Sequence, residues 1–461
     1  MRLYKPFACA LLLFVSGCMV GPKYHQPKVK LPDKFSEQQQ AQTVADLKRW
    51  WTFFDDSCLN DLIGKALKNN YDLRIAIEKI KELRAMYRIE EAKLFPEIDG
   101  IGQANANQYS QKLIVDKFFP AKLSYFQLGF DALWELDFWG KQRRARAAAY
   151  DIYQAQIEDM RDVYIILLGD VAKTYTEIRA LQQKLDLLDA TVKCDTQLLA
   201  LTHDRLASGI ASEIPDADQQ AALNESQSQR ILVLEGLKQT INRLAVLLGE
   251  NPEEFTLLPG AHVVPQSTKA LAVGLPSELL RRRPDIRRVE RLLASATESY
   301  GQAIADWFPS FSLLGSLTPE ANHENQLFGH NSLTWSIGPS MRWPLITFGR
   351  IQFNVEEKKS VQRQALLTYA KSVVTALGDV ENWLTVYWNE NERVGVLTQK
   401  LAAATRQRDL YTSRFEGGLD SEVQWLVAEK NRLTMALELV DVQLASSSSL
   451  ISVYKALGGG W

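Results

Sequence analysis

The chain has 461 residues and a formal net charge of −2, with 46% hydrophobic and 23% charged residues. That length exceeds what one small core requires, so we expect several units or one large repeated unit. The composition is that of an ordinary folded protein. Because the net charge is close to zero, no global field favours nucleic acid as a partner.

The first residues form a predicted targeting signal. Arg2 and Lys5 supply a positive start, and residues 7–15 are an apolar run too short to span a bilayer. The four residues ending at Cys18 resemble a lipobox, in which signal peptidase II cuts before the cysteine and its thiol carries diacylglycerol. We therefore predict a signal peptide over 1–17 and a lipid on Cys18; the alternative is an ordinary cleavage site with an incidental cysteine.

The residue after this cysteine favours the outer membrane. Met19 stands where an aspartate typically retains lipoproteins at the inner membrane. Two or more acyl chains anchor a protein stably, whereas one binds only marginally. The covalent lipid on Cys18 is the one bound group that we expect, and no cofactor is predicted. Cys58 and Cys194 also remain in the mature chain, and whether they pair stays open.

An internal repeat organises the rest of the chain. At an offset of 209 residues, Trp134 aligns with Trp343 and Gly140 with Gly349, and the register holds over more than a hundred residues. Phe95 aligns with Phe308 at an offset of 213. Each half is therefore one structural unit. The predicted segments are a lipid-anchored N-terminal segment over 18–58, a first repeat over 59–250, a connector over 251–276 and a second repeat over 277–461.

Each half is predicted to contain a helix, two strands and two long helices. Apolar residues at steps of three or four, as in coiled coils, predict the long helices, and the longest extends roughly 100 Å. Pro96 ends the first helix, since the residue before a proline avoids the helical region. The predicted ranges are helices over 59–93, 141–208 and 213–248 in the first half, with strands over about 97–107 and 126–136, and strands over about 310–318 and 335–343 in the second half.

The strands alternate with a period of two. Phe126, Leu128 and Phe130 share one face, while Gln127 and Asp131 share the other. This alternation suits a membrane strand, and it suits a soluble half-buried sheet equally well. One chain supplies four strands, whereas a closed membrane barrel needs at least ~8. If the strands cross a membrane, the chain has to oligomerise, and two copies give a filled barrel whereas three give an open one.

Signatures of enzymes and metal sites are missing from the sequence. The five histidines show no metal-ligand spacing, and no nucleophile elbow, P-loop or dinucleotide-binding glycine motif occurs. The arginines at 281–283 precede Pro284, which favours a helix start with local pairing over an anion site. We therefore predict neither an enzyme nor a metal site.

Four stretches together resemble the TolC/OprM-type outer-membrane factors, in the lipoprotein (NodT-like) branch that serves RND efflux pumps. They are residues 17–24, 69–74, 275–287 and the terminal 456–461. The last of these, ending in Gly458-Gly459-Gly460-Trp461, means little alone, but all four in order on a two-fold repeat are specific. The resemblance covers nearly the whole mature chain.

The resemblance implies a mainly helical fold with four strands per chain. Three chains would form a 12-stranded β-barrel in the outer membrane, continuous with a long α-helical barrel in the periplasm. It also implies passive conduction of drugs or other small molecules, as the exit duct of a tripartite efflux pump. The implied partners are two further copies of the chain, a periplasmic adaptor, an inner-membrane RND pump and outer-membrane lipid.

The two turns between long helices are the implied periplasmic tips, where the adaptor would make contact. A glycine just past a helix can adopt the left-handed conformation that ends it, and Ser212 or Ser421 could cap the returning helix. Ordinary turn chemistry explains these residues as well. The predicted tip residues are Ser208, Gly209, Ser212, Gly417, Gly418, Asp420 and Ser421.

The sequence departs from the family at the predicted gate. Relatives often carry an aspartate six residues after the position of Ser421, which would form a constricting carboxylate ring. Val427 stands there in this chain, and Val423 occupies another constricting position. The gate would then be an apolar constriction that closes by dewetting. The alternative is that Val427 is a packing residue.

Two other functions compete with an efflux duct. The same architecture could serve type I protein secretion, although the lipobox and the glycine-rich end favour efflux. A non-conducting periplasmic coiled-coil scaffold is the alternative of a different class. The alternating strands argue against such a scaffold.

Overall fold

A computed structural model describes residues 19–29, 31–36, 47–108, 110, 112, 122–256, 261–267, 271 and 276–461. The fold is mainly helical, with one small sheet. A 3-10 helix over Leu47–Phe54 precedes the first α-helix. In chain order the elements are α1 (Ser57–Asn69), α2 (Tyr71–Ala92), β1 (Glu97–Gln108), β2 (Lys122–Leu136), α3 (Lys141–Ala207), α4 (Glu213–Leu247), α5 (Pro276–Arg282), α6 (Pro284–Ala305), β3 (Ser310–Ala321), β4 (Leu333–Arg342), α7 (Arg350–Glu416) and α8 (Glu422–Ala456).

The described residues divide into two compact units, and each contains parts of both sequence repeats. The strand unit comprises residues up to Lys28 together with Lys79–Ile157 and Arg288–Ala370. The helical unit comprises Val29–Glu78, Glu158–Arg287 and Lys371–Trp461. The segment boundaries drawn from the sequence repeat remain a prediction. None of the helices described has both the length and the apolar character that crossing a bilayer requires.

The sheet of the strand unit is antiparallel, with its strands in the order β1-β2-β3-β4. The pairing of β2 with β3 joins the two halves of the chain, with Trp134 opposite Leu313 and Ala132 opposite Gly315. Strands β1 and β4 therefore lie at the two edges. The predicted strand over 310–318 extends three residues further, to Ala321.

The predicted helix over 59–93 is wrong in one respect, because it is two helices separated by Asn70. The Asn70 backbone has a φ of −57° and a ψ of 131°, which no α-helix accommodates. Its side chain serves both neighbours: Oδ1 accepts from the Leu73 N–H at 2.9 Å, and Nδ2 donates to the Leu247 carbonyl at 2.9 Å. The sequence pattern misses the break because Asn70 lies within an unbroken run of helical periodicity.

All four long helices stop at a glycine with positive φ. Gly209, Gly249, Gly418 and Gly458 have φ values of 71°, 69°, 68° and 71°. In the second half, the Leu419 N–H donates back to the Arg414 carbonyl and the Gly418 N–H to the Phe415 carbonyl. This Schellman pattern satisfies carbonyls that the helix end would leave unpaired.

The two returning helices end against the starts of α2 and α6 in matching ways. A Cβ on Gly249 would lie 2.6 Å from the Asn69 carbonyl oxygen, and one on Gly458 would lie 3.1 Å from the Arg282 carbonyl carbon. Asn70 bonds the last carbonyl of α4, and Arg283 donates to the Ala456 carbonyl of α8 at 3.1 Å. The helical unit therefore repeats one junction with different side chains.

The core of the helical unit is aromatic near these junctions. The Trp50 ring stacks on Tyr454 with centroids 5.3 Å apart, and both are buried. The Tyr175 hydroxyl donates to the Asp56 carboxylate at 2.6 Å and accepts from Arg179 Nε at 3.0 Å. Asp56, Tyr175 and Arg179 are thus joined in one chain of hydrogen bonds where α3 meets the start of α1.

Two glycines of the second half provide a matched test of the turn. Gly418→Ala forces an alanine into the left-handed region, where an L-residue costs about 1–2 kcal/mol, although its Cβ would contact nothing. Gly395 also has open space around it but lies within α7, where alanine is favoured by about 1 kcal/mol. We expect Gly418→Ala to lower the thermal midpoint and Gly395→Ala to hold or raise it, measured by circular dichroism. Equal effects of the two changes would show that φ does not govern the turn.

Candidate functional site

The sheet exposes a continuous apolar face. The register brings Phe130 opposite Leu317, and Leu317 opposite Trp335 on the next strand. These three side chains are all exposed in the single chain. The large exposed apolar residues of this face are Ile98, Leu128, Phe130, Trp134, Leu317, Leu333, Trp335, Ile337 and Met341. A contiguous exposed apolar face marks a surface that contacts lipid or protein.

The opposite face of the sheet is polar. Asp131 lies opposite Asp99 on β1 and opposite Ser316 on β3. The Ser316 and Ser336 hydroxyls hydrogen-bond at 2.8 Å across β3 and β4. Apolar residues interrupt this face at Leu133 and Leu314, which lie opposite each other, and at Ile101 and Leu123 on β1 and β2. The predicted alternation of apolar and polar residues is present, and the strand register places the apolar residues on one face and most polar residues on the other.

Matching tryptophans lie at the same end of the two repeats. Trp134 Nε1 donates to the Leu94 carbonyl at 2.9 Å, and Trp343 Nε1 donates to the Trp307 carbonyl at 3.2 Å. An indole that is apolar on one side and hydrogen-bonded at its N–H suits a boundary between lipid and water. The two halves of the chain therefore make the same indole-to-carbonyl hydrogen bond at equivalent positions.

The first described residues lie in the strand unit beside the end of β2. The Val20 N–H donates to the Trp139 carbonyl at 3.1 Å. Further along, the Tyr24 hydroxyl donates to Glu290 at 3.0 Å, and its ring lies 5.6 Å from the Arg291 guanidinium. Cys18, the predicted lipidation site, lies outside the described residues.

The turn at the end of α7 is held by an ion pair that the sequence did not reveal. The predicted tip residue Asp420 pairs with Arg414, and the hydrogen bonds from this guanidinium lower the pKa of the carboxyl. Nearby, Trp425 Nε1 donates to Thr412 Oγ1 at 2.9 Å, and its ring stacks on Phe415. The only sequence signal was that Asp420 follows Arg414 by six residues across a glycine turn.

The other tip residues form the turns, but the predicted serine caps are absent. Ser212 and Ser421 stand at the N-cap positions of α4 and α8, yet neither side chain makes a cap hydrogen bond. Ser208 Oγ instead donates to the Asp204 carbonyl at 2.7 Å. Gly417 lies in the last turn before Gly418. Backbone bonds, rather than side-chain oxygens, therefore shape these turns.

The two gate candidates lie one helical turn apart on α8 but in different surroundings. Val427 is 54% exposed in the single chain. Val423 is partly buried against a small cluster of Cys194, Leu198 and Leu426. The structure therefore leaves Val427 free to face a neighbour or a pore, while Val423 also packs within its own chain.

A buried carboxylate behind the gate candidates was missed by the sequence reasoning. Asp195 on α3 is fully buried and accepts from Lys430 Nζ at 2.6 Å and Gln219 Nε2 at 3.1 Å. Three helices therefore meet at one charge. The adjacent Cys194 thiol donates to the Leu426 carbonyl at 3.2 Å, and burial raises its pKa to about 11.

The cysteines and potential metal ligands carry no further site in the described residues. Cys58 and Cys194 are both free thiols. Over the ranges that the structure describes, no group of three or more histidine, cysteine, aspartate or glutamate residues could hold a metal ion. In the arginine cluster, Arg282 pairs with Glu278 as predicted, Arg283 pairs with Asp285 and also with the distant Asp379, and α6 begins at Pro284.

Comparison with known proteins identifies the family. A family model described as outer membrane efflux protein matches residues 62–250 and 275–459. The chain belongs to the outer membrane efflux protein family. The solvent efflux pump outer membrane protein SrpC of Pseudomonas putida is 31% identical over 99% of this chain and 98% of its own length. The cation efflux system protein CusC of Escherichia coli K12 is also 31% identical, over the same shares of both chains.

Solved structures of outer-membrane efflux channels have the same fold. The outer-membrane channel OprN superposes with a TM-score of 0.88 at 28% identity, covering 96% of this chain and all of that one. The open-state channel MtrE of Neisseria gonorrhoeae gives a TM-score of 0.85 at 26% identity, covering 96% and 98%. The predicted family and the predicted mainly helical fold with four strands are therefore confirmed.

As an outer membrane efflux protein, the chain is an outer-membrane exit duct of a tripartite efflux pump. Members of this family are channels and not enzymes, and they work with periplasmic adaptors and inner-membrane pumps. The protein accordingly belongs to the outer membrane and has a periplasmic extension.

One partly buried acid of the strand unit gives this channel a pH-dependent stability. Asp151 on α3 accepts from Arg291 at 3.3 Å and lies near Glu290 and Glu298. Burial, opposed by Arg291, raises the pKa of Asp151 from 3.8 to about 6. Between these values the folded state holds more protons than the unfolded one, so the contribution of Asp151 to stability falls as pH rises towards 6.

Asp151→Asn should remove this dependence. We expect the variant to gain thermal stability relative to the wild type at pH 7.5, and the gain to shrink or reverse at pH 5. Differential scanning fluorimetry of both proteins across this range measures the difference, which cancels the titration of other groups. A difference that stays constant with pH would contradict the raised pKa.

Proposed function

We propose that three copies of the chain form a lipid-anchored duct that conducts drugs or other small molecules passively out of the cell. The observation that carries this proposal is the sheet itself. Its edge strands β1 and β4 have no partner on their outer sides within the described chain, and its apolar face is exposed. Unpaired strand edges cannot remain in a lipid environment, because no water satisfies their backbone groups.

The repeat predicts how a second copy would cover these edges. Within one chain β2 pairs with β3, so the equivalent contact joins β4 to β1 of a neighbour. Near the β2–β3 contact, Trp139 stacks on Phe308 with centroids 4.7 Å apart. The repeat equivalents of this pair are Phe348 and Phe95, which are 95% and 65% exposed in the single chain. Their exposure supports a contact between neighbours.

Strand number supports three copies over two. Three chains bring twelve strands, which leave an open interior, whereas eight strands give an interior that side chains fill. The strands are 10 to 15 residues long, enough for tilted strands to span a bilayer. The polar face with Asp99, Asp131 and Ser316 would then line the water-filled interior.

The anchor and the partners complete the proposal. A diacylglycerol on Cys18, with a further acyl chain, would hold the chain in the outer-membrane lipid. The tip residues Ser208, Gly209, Ser212, Gly417, Gly418, Asp420 and Ser421 would contact the periplasmic adaptor of an RND pump. Relatives are named for solvents and for cations, so the cargo of this chain would be small.

The proposed gate is apolar. Val427 on α8 projects a short hydrophobic side chain that its own chain leaves exposed, and in a trimer three such side chains could converge. An apolar constriction closes by expelling water and imposes no charge preference. This gate would pass neutral and charged cargo alike once it opens.

Disulfide trapping tests the proposed neighbour contact. In a Cys58→Ser, Cys194→Ser background, we expect Phe348→Cys together with Phe95→Cys to give dimer and trimer bands on oxidation, seen on non-reducing gels. Each single cysteine variant is the control and should give no trimer band. Ladders beyond the trimer, or bands equally strong with a single cysteine, would contradict the closed assembly.

Planar bilayer recording tests the gate. We expect Val427→Asp to raise the cation-to-anion permeability ratio several-fold, because three carboxylates would then face the constriction. Val396→Asp is the control: it adds the same charge at an exposed valine on α7, away from the proposed gate, and should leave the permeability ratio unchanged. If the wild type conducts and Val427→Asp leaves selectivity unchanged, the duct stands and the gate assignment fails. If the wild type is silent, Val423→Ser with Val427→Ser should open it, and continued silence would contradict a conducting duct.

A further inference from the structure

Residues 19–26 rest in a charged pocket of the strand unit, and the repeat does not account for this pocket. The Arg144 side chain on α3 is almost fully buried, with 1% of its surface exposed. Its Nε donates to the Val20 carbonyl at 2.6 Å and its Nη2 to the Gly21 carbonyl at 3.0 Å. Its Nη1 donates to Glu298 on α6 at 2.7 Å. A buried guanidinium is thus divided between one carboxylate and two backbone carbonyls of the N-terminal segment.

Two glycines make room for this arrangement. A Cβ on Gly301 would collide with the Arg144 side chain. Gly21 has a φ of 88°, and a Cβ there would lie 2.8 Å from the Gly301 Cα. The segment therefore approaches α6 backbone to backbone, which only glycines permit.

Further contacts extend along the segment. Met19 lies against Gly140, and the Val20 N–H bonds the Trp139 carbonyl, which ties the segment to the corner between β2 and α3. Tyr24 bonds Glu290, and Gln26 bonds the Tyr369 hydroxyl on α7. Five of the eight residues from 19 to 26 thus have partners, which lie at the corner and on α3, α6 and α7.

The pocket combines Arg144 of the first repeat with Glu298 and Gly301 of the second, and none of the three recurs at its repeat-equivalent position. The equivalents of Arg144, Gly301 and Glu298 are Phe353, Arg88 and Ala85. The chain has two equivalent corners, one between β2 and α3 and one between β4 and α7, but it has one N-terminal segment. Only one of the two corners therefore has to hold that segment, which agrees with the different residues at the two corners. Packing alone would not require the two corners to differ in this way.

We propose that Arg144, Glu298, Gly21 and Gly301 form a docking site that fixes the lipid-bearing N-terminus at the β2–α3 corner. The acyl chains then enter the bilayer at one set point relative to the sheet instead of on a free tether. This consequence rests on the proposed acylation of Cys18, whereas the docking of residues 19–26 does not.

Hydrogen exchange of the detergent-purified full-length protein tests the docking. Gly21→Ala should speed backbone exchange over residues 19–28 at least tenfold, with the native oligomer size unchanged. Lys23→Ala, at an exposed neighbour, is its control and should exchange like the wild type. Wild-type exchange in Gly21→Ala would overturn the proposal.

A second pair of variants addresses the arginine. Arg144→Met with Glu298→Gln removes both charges, so that no carboxylate is left unpaired, and should also speed exchange over 19–28 at least tenfold. Arg146→Met is the matched control on the same helix, since Arg146 contacts Glu91 and Tyr87 and not the N-terminal segment. If the double variant does not fold, Gly21→Ala decides alone.

Cys18→Ser separates docking from lipidation. We expect this variant, exported with an ordinary signal peptide, to keep slow exchange over 19–28, because the polypeptide and not the lipid makes the contacts. Fast exchange in it would overturn the proposal. Palmitate labelling of the wild type reports on acylation independently, so a failed lipid anchor and a failed docking site give different results.

Discussion

The packing of the helical unit depends on where its long helices end. Each helix has to stop within one residue and satisfy its last carbonyls, and a glycine with positive φ does so at Gly209, Gly249, Gly418 and Gly458. Two of these glycines form exposed turns, and two press against the backbone at Asn69 and Arg282. A side chain at the second pair would push the returning helices away from the junctions that hold the aromatic core.

The repeat preserves backbone geometry while its side chains diverge. Asn70 and Arg283 occupy equivalent junctions and both bond the last carbonyl of a returning helix, one with an amide and the other with a guanidinium. The same freedom lets one corner hold Arg144 and the other Phe353. The two halves thus share one backbone scaffold, and different side chains at equivalent positions give them different contacts.

Much of the fold and part of the site could be read from local patterns. The long helices over 141–208 and 213–248 were placed within one residue of their observed ends, because a glycine follows each unbroken periodic run. Strand alternation gave the two faces of the sheet. The break at Asn70 was missed because helical periodicity continues across it, and its side chain joins a local cap on Leu73 to a bond with Leu247, 177 residues away. The pairing of Arg414 with Asp420 was missed because it depends on how the turn folds back.

The sequence by itself determined the family, the repeat, the element lengths and the residues that alternate along each strand, because these are periodic or local properties. The tertiary structure alone decided which distant groups meet. It paired Arg144 with Glu298, buried Asp195 between three helices, and left Ser212 and Ser421 without cap bonds. Such contacts depend on the relative placement of segments more than a hundred residues apart, or on the exact path of a turn, and no local pattern encodes either.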